Sequence, residues 1–173
     1  MSKQKVLSSD IWSEIGKRAK SAGRRKAAIA HVTKDHIGFQ AGDVLIVDAS
    51  KKAIASGQTD APLLRELDRK GVAIYSQEGL HAKVLLLGSY CVVGSANMSG
   101  FSGDLIEAAV VSNSAVFASG VDSFITQLAR PRARLKSSQI EALCKVEVLR
   151  VGGANAKGSK RKNGSVRWVT LRG

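Results

Sequence analysis

The apolar positions of the chain follow two periods, and they divide it into elements. Ile11, Trp12, Ile15 and Ala19 recur at three- and four-residue spacing behind Ser9 and Asp10, either of which can cap, so this stretch predicts a helix. Ala27–Val32 (AAIAHV) is a short apolar run and predicts a buried strand. Val44–Ala49 (VLIVDA) predicts a second, flanked by Gly42-Asp43 and Ser50-Lys51-Lys52 as turn material. Asp60 caps a helix with Pro62 in its first turn, carried by Leu63, Leu64 and Leu67 and stopped by Gly71. Val72–Tyr75 predicts a third strand, and Lys83–Leu87 with Tyr90–Val93 a hairpin about Gly88-Ser89. Ala108–Val111 predicts a sixth strand, and Val116–Leu128 has the pattern of a helix. Continuous apolar strands alternating with helices predict the α/β class, a sheet covered on both faces. Beyond them, Lys145–Val151 and Ser165–Leu171 alternate with period two around a Gly-, Lys- and Asn-rich stretch, Gly152–Gly164. They predict two strands of a basic C-terminal β extension.

Charge divides the chain differently. It has 173 residues, enough for one domain with a short appendage, and a net charge of +13. Residues 1–26 carry +6, 27–129 carry −3, 130–150 carry +4, and 151–173 carry +6 without a single acid. The expected organisation is a basic N-terminal helical segment (1–26), a slightly acidic core (27–129) and a basic extension (130–173). Basic ends around an ordinary body predict a polyanion partner, most often nucleic acid, although solubility or a loose tail is the bland alternative. The Arg24-Arg25-Lys26 run is ordinarily a solvated face; the sharper expectation is a contact with substrate phosphate. Aromatic residues are only 5%, too few for a broad base-stacking platform. No stretch approaches the ~18 apolar residues of a membrane span. The first ten residues hold two Lys and no apolar h-region, and Cys91 and Cys144 have no CxxC spacing. A reducing cytoplasm is the expected setting, without a disulfide framework.

The chemistry concentrates in Gly79–Gly100 (GLHAKVLLLGSYCVVGSANMSG). His81 and Lys83 stand two apart at the start of a strand and so share a face. In a hairpin, the next strand returns Gly94-Ser95-Ala96-Asn97 beside them. An imidazole, an ammonium, a hydroxyl and an amide together suit a phosphodiester. Lys83 offers a point charge, Ser95 and Asn97 offer directed donors, and Gly94 permits close backbone approach. His81 is the candidate nucleophile or acid/base. No carboxylate cluster or second histidine stands at ligand spacing, so a metal-free site without cofactor is expected. His31 reads as a satisfied core or surface histidine, and nothing demands a site role for Thr33.

His81-Ala82-Lys83 followed by Gly94-Ser95-Ala96-Asn97 resembles the phospholipase D superfamily, whose signature is H-x-K-x4-D and then G-S-x-N. DVLIVDAS, AIASGQTDAPLLREL and GVAIYS resemble the stretch upstream of it in small nuclease-like members. Glu107 in LIEAAVV fits the family's acidic residue that orients the histidine. The resemblance spans roughly Ala27 to Leu128, and departs from the signature at Gly88, where the supporting Asp would stand. It implies a mixed β-sheet with helices on both faces and metal-independent phosphodiester hydrolysis through a phosphohistidine. The family site needs two motifs, and this chain has one: His31 is followed by Thr33 and His36 by Gly38 at the lysine position. Single-motif relatives are symmetric homodimers, which implies a two-fold site on the dimer axis. His81 would attack, His81 of the partner subunit would act as general acid, Lys83 and Asn97 would clamp the phosphate, and Ser95 would support them. Glu107 would accept a hydrogen bond from His81. The resulting expectation is a nonspecific endonuclease acting on DNA or RNA. Two alternatives stand beside it: a nucleic-acid-binding protein with weakened catalysis, hinted at by Gly88, and a lipid hydrolase, which the charge and scarce aromatics disfavour.

Overall fold

The apolar runs pair into one seven-stranded sheet, of order β1-β7-β6-β5-β2-β3-β4. A computed structural model describes residues 4–8, 10–100 and 106–149. The strands are β1 (Gln4–Leu7), β2 (Arg25–Ile29), β3 (Val44–Val47), β4 (Ala73–Ser76), β5 (Lys83–Leu87), β6 (Tyr90–Gly94) and β7 (Ala109–Ser112). β2, β3 and β4 are parallel, and every other pairing is antiparallel. The helices are α1 (Ile11–Lys20), α2 (Lys51–Ala55), α3 (Ala61–Arg69), α4 (Ala115–Leu128) and α5 (Ser137–Leu143).

Both sheet faces are covered because strand side chains alternate and both sets are apolar. Ala27, Ile29, Leu45, Val47, Leu85 and Val92 pack with Ile11, Ile15 and Ala19 of α1, Leu64 and Leu67 of α3, and Ile140 of α5. Ala28, Ile46, Val84, Leu86 and Cys91 pack with Val121 and Ile125 of α4. The β5–β6 hairpin turns at Gly88, whose φ of 62° a glycine adopts without penalty.

Three stretches differ from the sequence reading. Gln4–Leu7 is a strand paired with β7, so the basic N-terminal stretch joins the sheet at both its ends. Lys51–Ala55 is a helix rather than turn material, because the Ser50 hydroxyl caps it by accepting from the Ala53 N–H at 3.2 Å. Residues 145–149 are not a strand. Lys145 and Val146 donate to Ala142 and Leu143 at 3.2 and 3.0 Å, continuing off α5, and the Leu149 N–H goes to Ala55 O at 2.8 Å. With those groups spent on turns and a loop, no ladder forms. The remainder of that expected strand and the one at Ser165–Leu171 lie outside the described residues.

Candidate active site

β2 and β3 end, and β5 begins, on one edge of the sheet, and the polar residues gather there. In the antiparallel β2–β5 pair Ile29 faces Lys83, and Ala30 N–H donates to Ala82 O at 2.9 Å. β2 ends at Ile29 and the chain bends at Ala30, whose carbonyl accepts from Asp48 N–H at 3.0 Å, so His31 lies just past the last paired residues. Lys83 is only 8% exposed, and its ammonium donates to the His81 carbonyl at 2.9 Å. Burial pulls the Lys83 pKa below the ordinary lysine value, against the opposing pull of Glu107. The His81 imidazole is exposed, and no hydrogen bond uses its ring among the described residues.

The hairpin returns as the spacing demands. Gly94 faces Ala109 of β7, and Ser95 N–H donates to Ala108 O at 3.0 Å. The Ser95 hydroxyl donates to the Glu107 carboxylate and accepts from Ala108 N–H at 3.1 Å. Glu107 is thus held by Ser95, which lies beside it across the β6–β7 pair; among the described residues no hydrogen bond joins it to the His81 ring. A Cβ on Gly94 would stand 2.7 Å from Ala108 O and 2.8 Å from Ala109 Cβ. The close approach that requires glycine here is to β7, and not only to a ligand. Asn97 is fixed from two sides: its side-chain oxygen accepts from His31 N–H at 3.3 Å, and its carbonyl accepts from the Trp12 indole at 3.0 Å. Trp12 is itself stacked on His36, with centroids 5.1 Å apart and planes at 12°.

Asp48 closes the edge from β3. Its carboxylate accepts from Ser50 N–H at 2.9 Å and Gly79 N–H at 3.0 Å. Burial pushes its pKa up, but these hydrogen bonds and His31 together outweigh that, leaving it below the ordinary value. Burial lowers the His31 pKa, with Asp48 opposing and Lys83 and His81 adding to the shift. His31, Asp48 and Trp12 are thus neighbours of the site that motif spacing missed. The available signal was topological: polar residues at the carboxyl ends of parallel strands are where ligands bind in α/β sheets.

The basic run does not reach this edge. Arg24, Arg25 and Lys26 begin β2, and Arg25 faces Leu87 at the opposite end of the sheet. The strand from Arg25 to Ile29 alone spans about 13 Å of the separation between Arg25 and His31. Arg25 is buried, donating to Asp43 at 3.3 Å and Ala19 O at 2.8 Å; Lys26 pairs with Asp122, and Arg24 donates to Gly42 O at 2.8 Å. Arg25 and Lys26 are thus tied into the fold, while Arg24 is exposed at the end of the sheet away from His81. Gly88 lies at the same far end, so a carboxylate there would stand well away from Lys83. Among the described residues no group of three His, Cys, Asp or Glu is placed to hold a metal.

This fold recurs in solved structures. NucT from Helicobacter pylori superposes with a TM-score of 0.61 at 15% identity, over 78% of this chain and 99% of that one. Nuc from Salmonella typhimurium, a phospholipase D family member, superposes at 0.64 with 14% identity, over 78% and 97%. Phosphatidylserine synthase of Haemophilus influenzae matches at 0.59 and 15%, over 82% of this chain but 43% of its own. The chain has the phospholipase D-like fold. No family model matches it, and no curated protein matches it by sequence.

Proposed function

We propose that the protein is a metal-independent phosphodiesterase, a nuclease acting on the backbone of DNA or RNA. The reading is carried by the gathering of His81, Lys83, Ser95, Asn97 and Glu107 on one sheet edge, in a fold shared with a phospholipase D family member. His81 attacks phosphorus and forms a P–N bond as the leaving oxygen departs with a proton from a second imidazole. Water deprotonated by that imidazole then attacks phosphorus and breaks the P–N bond. Lys83 balances charge developing on the non-bridging oxygens. Each chain has one His81, so the second comes from His81 of the partner subunit across a two-fold axis.

A nucleic acid fits the charge. Arg130, Arg132, Arg134 and Lys136 are all exposed or half-exposed, and none is among the ion pairs of the described residues. Contacts would be mainly to phosphates, giving little sequence preference. The test is cleavage of plasmid DNA and of RNA with excess EDTA. Cleavage survives the chelator in the wild type and is lost in His81→Ala. Activity that requires added magnesium contradicts the reading.

A further inference from the structure

We propose that His31 is a second substrate-contacting imidazole of this site, donating a hydrogen bond to a phosphoryl oxygen of the group that Lys83 neutralises. The proposal rests on the phosphodiester reading above.

Position comes first. His31 follows the last β2–β5 pair, Ile29–Lys83, and the Ala30–Ala82 hydrogen bond, and it interacts electrostatically with Asp48, Lys83 and His81. Its backbone is held at both groups: N–H to the Asn97 side chain at 3.3 Å and C=O from Met98 N–H at 3.1 Å. The ring is half-buried, yet no hydrogen bond uses it among the described residues. A partly buried polar ring without a hydrogen-bond partner among the described residues, fixed beside the candidate nucleophile, is arranged for a ligand.

Its surroundings define the role. The charged and titratable groups facing it are Asp48, Lys83 and His81, and burial dominates in keeping the ring neutral. A neutral imidazole offers one N–H donor and one acceptor. It can therefore donate to a phosphoryl oxygen without adding a like charge beside Lys83. The two-fold site then presents four imidazoles, two reacting and two binding.

Inorganic phosphate, titrated calorimetrically into the full-length protein, tests this without turnover. His31→Ala should bind phosphate about tenfold more weakly, the loss of one hydrogen bond, and His31→Gln should recover most of the affinity. In the wild type, the ring resonances of His31 should shift on adding phosphate, a measurement that needs no variant to fold. Wild-type affinity in a folded His31→Ala variant, or ring resonances that do not move while phosphate binds, overturns the role of His31 alone. No phosphate binding by the wild type overturns the site itself and this role with it.

Discussion

Lys83 has to remain charged in a place that disfavours charge. It is 8% exposed, its ammonium is held by the His81 carbonyl, and burial lowers its pKa. The lowered value has a direct kinetic reading. The ammonium is the working form, and it loses its proton as pH rises through a pKa below the ordinary lysine range. The alkaline limb of the kcat/KM profile should therefore fall early. Glu107 is the group that opposes the shift, so Glu107→Gln should move that limb to still lower pH. A limb that stays in place in Glu107→Gln would show that Lys83 is not the group titrating. Lys83→Ala removes a preorganised positive charge and should lower kcat by about 10²–10³-fold, measured at saturating substrate.

At the scale of elements, the site depends on how closely β6 and β7 approach. Gly94 permits that approach, and the Ser95–Glu107 hydrogen bond is made across it. Gly94→Ala should push the strands apart, costing about 1–3 kcal/mol in chemical denaturation, as overpacking does, and lowering activity by misplacing Ser95. Unchanged stability would mean that the strands relax freely there. The hairpin, its Gly88 turn and the return of Gly94–Asn97 were legible in the sequence, because apolar runs bounded by turn residues leave few pairings. The Lys51–Ala55 helix was not: Ser50-Lys51-Lys52 has turn composition, and the cap that decides the matter is a side-chain geometry. Nor was the fate of Arg24–Lys26 legible. A basic run looks the same whether it faces solvent or, as with Arg25, a buried Asp43 contributed by a distant loop. His31 carries no sign of its place either. A lone histidine has no motif, and only the folded chain shows that the bend after β2 brings it beside Asp48, Lys83 and His81.

For the whole molecule, charge and pairing make separate predictions. Arg130, Arg132, Arg134 and Lys136 changed to Gln should leave hydrolysis of a small chromogenic diester unchanged. The same change should weaken duplex DNA binding and flatten its salt dependence by about 0.9 in log–log slope for each phosphate no longer neutralised. An unaltered salt slope would remove this surface from the DNA path. Pairing is tested by mixing wild-type chains with an excess of His81→Ala chains. A two-fold site predicts that activity per wild-type chain collapses as mixed dimers form, whereas self-sufficient chains would keep it in full.

The central claim is that His81 itself becomes bonded to phosphorus. Rapid-quench trapping answers this directly: DNA with ³²P at the internal phosphates is mixed with the protein in EDTA, quenched in alkali, and the labelled peptide is located by mass spectrometry. The account predicts an alkali-stable, acid-labile phosphoramidate linking one DNA strand end to His81, absent from His81→Ala. Turnover of the DNA with no label on the protein, or label on a residue other than His81, contradicts it.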